Sequence, residues 1–339
     1  MKTDTLKSGI FGLMLAAAPP SFHETCLNPP SDADRKTVEV MAWRAGFDMK
    51  SGDERICAGA EEKLSGMAYL NLHFDPFGPR WTLSSLGPVA SQVHLEGVSA
   101  SHNEISDLSP LAFLPVLSNL ILWDNLIRDI EPLSKLKYLT DLILTKNQIA
   151  DLGPISGLLR LQDLSASENQ ITTLEPLRKL TQLDSLFISS NQIESLEPLS
   201  GLFKMTYLDA GKNRIQDLRP LAGMQLMDNL SLAENQITTL DGLEKMPDLD
   251  SLDLRGNQVT EIGILSHLKK LRWLDLRDNE IDDFANLAAL TDMKHLYIEG
   301  NPTTTLPDSV LALREEHLNS KGDWIRLEID VLDMLATAN

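Results

Sequence analysis

Apolar residues between about positions 93 and 307 keep a single rhythm. One period runs Leu117, Leu120, Leu122, Asn125, Ile127, Ile130, Leu133, Leu136, with polar residues in most other places. The rhythm returns every 22 residues without a slip, marked by ten asparagines: Asn103, Asn125, Asn147, Asn169, Asn191, Asn213, Asn235, Asn257, Asn279 and Asn301. A fixed period in this range is the signature of a solenoid, whose units bury their apolar faces only against their neighbours. The leucines five and three residues before each Asn, such as Leu142 and Leu144 or Leu252 and Leu254, sit two apart. They therefore share one side of a short extended segment, and the residues between them face the other way. Stacked in parallel at about 4.8 Å per rung, ten such segments span roughly 40–45 Å.

The return path is also written in the pattern. Pro110, Pro132, Pro154, Pro176, Pro198 and Pro220 stand where one helical turn opens, a place that tolerates a missing N–H. From Gly242 onward that proline is gone, with Ile264 and Asn286 in its register, so the outer turns there are expected to differ. The recurrent Asn reads as structural, an amide that satisfies backbone groups where the strand turns away, and not as a site.

The consensus LxxLxxLxLxxNxIxxLxPLxx, clearest from Leu139 through Leu142, Leu144, Asn147, Ile149, Leu152 and Pro154 to Ile155, resembles the leucine-rich repeats. Within them it is similar to the 22-residue bacterial subclass typified by the internalins, over about residues 93–307. That resemblance implies a curved right-handed solenoid that binds proteins, and it brings no catalytic residues. The flanking cysteines and the lack of a sorting tail after residue 307 depart from surface-anchored internalins, so host-cell invasion is not expected. The fold class expected is an α/β repeat: a right-handed leucine-rich-repeat solenoid with a parallel concave sheet, short convex 3-10 or helical turns, and helical terminal caps.

Open stacks need caps at both ends. Residues 1–20 read as a signal peptide, 21–80 as an N-terminal helical cap, 81–307 as the solenoid and 308–339 as a C-terminal cap. Ser31 to Asp34 resembles a capping box opening a helix lined by Val38, Met41, Ala42 and Ala45 and stopped by Gly46. A second helix is expected from about Glu54 to Leu64, with Ile56, Cys57, Ala60 and Leu64 inward. Tyr69–Leu72 and Val93–Leu95 look like degenerate first rungs around a Pro/Gly-rich excursion. Beyond the repeats, Asp308–Asn319 reads as a helix with Val310, Leu311 and Leu318. Trp324–Leu335 carries both a strand alternation and a helical spacing, and the reading leans to helix.

Composition narrows the partners. Of 339 residues, 30 are Lys or Arg and 49 Asp or Glu, a formal charge of −19, and nothing looks like a phosphate-neutralising surface, so nucleic acid and anionic membrane are poor partners. A basic partner, or one held by apolar anchors, fits better. Lys2 and Lys7 precede an apolar run from Ile10 to Ala18 that is too short to span a bilayer and matches the core of a secretory signal. With export to the periplasm or beyond, Cys26 and Cys57 are expected to form one disulfide in the cap. The cytosolic alternative keeps two inert thiols. His23 to Cys26 lacks the small apolar run of a lipidated cysteine.

Subtracting the framework leaves the side chains six, four and two residues before each Asn for the concave face. Ile121, Trp123, Ile143, Phe187 and Tyr207 are apolar at positions the core does not reserve, as interface anchors are; packing on one another is the alternative. Asp253 with Arg255 and Asp275 with Arg277, one rung apart, are expected to build an exposed lattice of opposite charge worth little to stability. Beside Trp273, His295 and Tyr297 it could also be a recognition patch. Calcium held by Asp209, Asp253 and Asp275 is disfavoured by the arginines. The seven histidines show no metal-ligand spacing, and there is no phosphate-cradling loop or nucleophile elbow, so neither cofactor, metal nor enzyme activity is expected. The leading expectation is an exported, non-catalytic protein that recognises a protein partner on its concave face. Its rivals are envelope-glycan binding on Trp123, Tyr207, Trp273 and Tyr297, and a cytosolic scaffold that regulates a partner enzyme.

Overall fold

A computed structural model describes residues 18–47, 54–73, 82–303 and 306–312, together with the backbone of short strands beyond them. The expected signal sequence up to residue 17 and the excursion at 74–81 lie outside the described residues.

Eleven three-residue strands, one per coil, stack in chain order into one parallel sheet. They are β1 (Tyr69–Asn71), β2 (Gly97–Ser99), β3 (Asn119–Ile121), β4 (Asp141–Ile143), β5 (Asp163–Ser165), β6 (Ser185–Phe187), β7 (Tyr207–Asp209), β8 (Asn229–Ser231), β9 (Ser251–Asp253), β10 (Trp273–Asp275) and β11 (His295–Tyr297). The register pairs each middle residue with its repeat equivalent, Leu120 with Leu142 and Leu142 with Leu164. Those middle leucines are buried while their neighbours stay partly open. Val93–Leu95 is not a rung: Gly97–Ser99 takes that place, and Leu95 fills the inward position ahead of it.

Each framework leucine or isoleucine, from Leu120 to Leu296, is essentially without solvent. Full burial of one such side chain is worth about 1.5–3 kcal/mol. Because each coil covers only its neighbours, the caps matter. The convex side is made of 3-10 turns such as Ser109–Phe113 and Glu131–Lys135, with proline in their first positions. An Asp side chain two residues earlier caps several of them, Asp107 accepting from the Ser109 N–H and Asp129 from the Glu131 N–H. Past Gly242 the expectation of altered turns holds for one coil only. Residues 241–248 form successive hydrogen-bonded turns that do not join into a 3-10 helix, yet Gly263–His267 and Ala285–Ala289 make 3-10 helices without proline.

The residue before each Asn adopts a left-handed backbone. Eight of these are not glycine (φ 52–58°), for example Glu168 and Lys212, and the other two are Gly256 and Gly300. The left-handed conformation costs an L-residue about 1–2 kcal/mol. The next residue's amide offsets it: Asn213 donates to Ile188, Ala210 and Gly211 carbonyls, and its Oδ1 accepts from the Ile193 N–H. The structural reading of the ladder therefore holds in every coil.

At the N-terminus α1 (Phe22–Leu27), α2 (Asp32–Arg44) and α3 (Glu54–Ser65) cover the first coil. The capping Ser31 accepts from the Asp34 N–H, and Gly46 ends α2 at φ +91°. Helix α1, opened by a reciprocal Ser21–Glu24 box and burying Phe22, was not legible as a helix. A Cys26–Cys57 disulfide ties α1 to α3. Closing that 31-residue separation stabilises by about 3–4 kcal/mol in the chain-entropy model.

The far end corrects the sequence reading. Helix α4 spans Asp308–Leu311, with Val310 buried and Leu311 exposed, and His317–Leu318, expected to be helical, are in a strand. β12 (His317–Leu318) pairs antiparallel with β13 (Trp324–Ile325), and β14 (Glu328–Asp330) joins β11 in parallel as a twelfth strand. Strand alternation prevailed over helical spacing: β13 is satisfied by β12, and β14 by the open edge of β11, whose unpaired backbone groups a strand satisfies.

Candidate functional site

The side chains between the framework leucines project from the sheet side, and they sort into three stations. The first lies over β1–β3. Gly97 has no side chain, and the ring of Tyr69 occupies the space: a Cβ at Gly97 would lie 2.1 Å from Tyr69 Cδ1. Tyr69, Asn71, Gly97, Ser99, Asn119 and Ile121 thereby line a depression of about 310 Å³. Ile121 stands opposite Ile143 in the strand register. Trp123, 41% exposed, is packed edge-on against His102 with ring centroids 4.3 Å apart. His102 Nδ1 and Lys146 Nζ both reach Asp124 Oδ2, at 2.9 and 3.0 Å. The hydrogen bond from His102, then that from Lys146, holds the Asp124 carboxyl below the usual carboxylate range.

In the middle, Phe187 and Tyr207 lie 4.7 Å apart at a 31° tilt on adjacent strands. Burial, with the charge of Asp209 added, pushes the Tyr207 hydroxyl's pKa up. Short polar contacts fill the approach to this pair, Thr145 to Ser165 at 2.6 Å and Ser189 to Ser167 at 3.0 Å.

The third station joins Trp273 to Tyr297, 5.7 Å between centroids, with the Arg277 guanidinium 5.2 Å from the Tyr297 ring. His295 pairs with Trp273 across the register. The expected lattice is corrected here in two respects. Each arginine pairs with the aspartate of its own rung, Arg277 with Asp275 through Nε and Nη2 at 2.9 and 2.5 Å, and Arg255 Nε with Asp253 at 3.6 Å. Nor are its carboxylates exposed: Asp275 has no solvent contact and Asp253 is 8% exposed, while the Arg255 and Arg277 side chains stay 43% and 36% exposed. Both carboxylates accept the N–H two residues on, at 3.1 Å. Asp209 does the same with Gly211, which turns it towards its own backbone. Burial pushes Asp253 up from the usual range, and the hydrogen bonds that Arg277 donates to Asp275 make Arg277 hold its proton more tightly. Among the described residues no group of three or more His, Cys, Asp or Glu is placed to hold a metal ion.

The stations recur four coils apart, with His102 and Trp123 in the coils of Asn103 and Asn125, Phe187 and Tyr207 in those of Asn191 and Asn213, and Trp273 and Tyr297 in those of Asn279 and Asn301. At about 4.8 Å per rung that is roughly 19 Å between stations. Sequence reasoning missed Tyr69, Gly97 and His102. The signal available was the glycine six residues before Asn103, where later coils carry side chains.

Residues 159–201 and 225–267 match the family model described as leucine-rich repeats (2 copies). No curated protein matches the chain. Among solved structures, an internalin (inlF) of Listeria monocytogenes is similar at 26% identity and a TM-score of 0.66, over 85% of this chain and 86% of that one. A leucine-rich-repeat protein of Leptospira interrogans is similar at 25% identity and a TM-score of 0.64, over 72% of this chain and 62% of that one. Internalin C2 of Listeria monocytogenes shares the fold at 24% identity and a TM-score of 0.53, covering 83% of this chain and 98% of that one. With its 22-residue coils, its asparagine ladder and these likenesses, the chain is a leucine-rich-repeat solenoid similar to the bacterial internalins.

Proposed function

We propose that the chain is an exported, non-catalytic protein that captures a protein partner on its concave face. The fold itself goes with protein–protein binding. The observation that carries the finer reading is the first station, where an exposed Trp123 stands beside an apolar depression floored by Gly97 and walled by Tyr69 and Ile121. Large aromatic and aliphatic groups beside a concavity are what interface anchors require. The middle and last stations extend the contact to roughly 38 Å, eight rungs from the first. That reach suits a folded partner better than a small ligand. The Asp275–Arg277 pair, with its carboxylate buried and its guanidinium over Tyr297, orients the far end.

The Cys26–Cys57 disulfide supports an oxidising compartment, as such bonds are rare among reduced cytosolic thiols. No helix among the described residues is long and apolar enough to cross a membrane. The test has two arms. Intact mass of the mature chain, with and without reductant, should show loss of the leader and a bonded cysteine pair; a retained leader with two free thiols would refute export. Immobilised wild-type chain should retain a protein from envelope extract that the Ile121→Asp/Trp123→Ala variant does not. Co-sedimentation with purified envelope polysaccharide instead would assign the face to glycan.

A further inference from the structure

The net charge of −19 hides an uneven distribution. In six successive coils the turn that returns from the convex side to the sheet comprises residues 113–117, 135–139, 157–161, 179–183, 201–205 and 223–227. Together these segments hold five cations (Lys135, Lys137, Arg160, Lys179 and Lys204) and no acid. None of the five is in an ion pair among the described residues; Lys204 meets the side-chain oxygen of Gln182, and Arg160 lies over the ring of Tyr138 at 4.7 Å. The same turns expose large apolar side chains: Tyr138 by 51%, Leu159 by 57%, Phe203 by 58% and Leu226 by 52%. The turn on the opposite flank, three to six residues after each Asn, collects exposed acids instead, among them Asp129, Asp151, Glu194 and Asp217.

We propose that this basic and apolar flank seats the solenoid on an anionic lipid surface. The apolar tips occupy two adjacent repeat positions, nine residues before the Asn for Tyr138 and Leu226 and ten for Leu159 and Phe203, and so form a band, interrupted at Thr181 and Gln182, that a bilayer can receive without a shaped pocket. Cations beside apolar and aromatic side chains combine attraction to anionic headgroups with burial at the headgroup boundary. Acids predominate over Arg128 and Arg219 on the far flank, whereas exposed acids next to the basic turns are confined to positions such as Asp184 and Asp228, so the chain's own field favours this side for negative charge. A second copy meeting the band face to face would set cations against cations. Seated this way, the concave face stays open at the side, which leaves partner capture and lipid contact independent.

The test uses the full chain and extruded vesicles. Co-sedimentation should occur with mixed phosphatidylglycerol–phosphatidylcholine vesicles at low salt, be largely lost with pure phosphatidylcholine, and weaken as salt shortens the screening length below about 10 Å. Lys137→Glu with Lys179→Glu should lower the partition coefficient by at least about tenfold, and Leu159→Ser with Phe203→Ser should lower it as well. Both variants should keep the wild-type melting profile, and both should still retain the protein partner on a column. Equal binding to the two vesicle types, no binding to either, or a charge-reversed variant that binds like wild type would overturn the proposal. Salt-reversible self-association without vesicles, removed by the same substitutions, would assign the band to a second copy and overturn it too.

Discussion

The side-chain amide of Asn147 donates to the carbonyl oxygen of Leu122, 25 residues back in the preceding coil, at 3.0 Å. The same nitrogen reaches the Leu144 and Thr145 carbonyls of its own coil, and Oδ1 accepts from the Ile127 N–H of the coil before. One side chain thus closes a turn and fastens it to its neighbour. The recurrence at 22 residues is the trace of this double duty: only a side chain with both donors and an acceptor on one planar group serves it.

Removing one such amide should loosen the stack. Asn213→Ala leaves the Ile193 N–H without its acceptor, while the Ile188, Ala210 and Gly211 carbonyls each keep a second donor, from Asn191 Nδ2, Asn235 Nδ2 and the Ser190 N–H. An unsatisfied buried group costs about 1–3 kcal/mol, so a loss of that order is expected by urea denaturation. Exposed Gln192→Ala is the comparison, expected within about 0.5 kcal/mol of wild type.

Gly242 supports the coil that has no 3-10 helix. Its φ is +111°, and a Cβ there would lie 2.4 Å from the Leu218 carbonyl oxygen and 2.9 Å from Arg219 Cα. Those atoms are backbone and cannot swing aside. Gly242→Ala should therefore cost at least about 2 kcal/mol, the left-handed penalty plus the clash. Gly201→Ala, where nothing lies within 4 Å and φ is ordinary, should melt within a degree or so of wild type. Equal behaviour of the two variants would contradict this account.

Asp253 makes stability depend on pH. Burial raises its folded pKa above the unfolded value, so its ionised form is disfavoured in the folded chain. For a carboxyl raised in this way, stability grows as pH falls through the folded pKa and is lost as pH rises through it. Asp253→Asn keeps an oxygen for the Arg255 N–H and removes the buried charge. The variant should be more stable than wild type at neutral pH, with the difference vanishing below about pH 3, where the carboxyl is neutral in both states. Denaturation at the two pH values measures it, and an Asn variant weaker than wild type at neutrality would contradict it.

The solenoid was legible because its rule is local and repeated. A leucine two residues from the next, such as Leu120 and Leu122, fixes strand and face at once, and the ladder fixes the register. The ends were less legible because they are single events. Phe22–Leu27 is too short to show a helical period, and Glu328–Asp330 became a strand by meeting an open sheet edge far away in sequence. Within the site, the outward positions of Ile121, Trp123 and Phe187 followed from the alternation. The Tyr69 ring over Gly97 did not, because it depends on which residue lies across a strand pair 28 residues on. Burial of Asp275 was missed for a similar reason: its carboxylate folds back onto the N–H and guanidinium of Arg277 instead of reaching the next rung.

The concave wall as the binding surface is tested most directly by one titration. The partner retained by the wild-type chain is purified and its Kd measured against wild type, Ile121→Ala/Trp123→Ala, and the comparison Gln192→Ala, an exposed residue just past the ladder Asn191. The double variant should raise Kd by at least about tenfold through loss of two anchors, while Gln192→Ala leaves it unchanged and all three chains melt cooperatively. An unchanged Kd for the double variant would contradict the assignment of the concave wall as the binding surface.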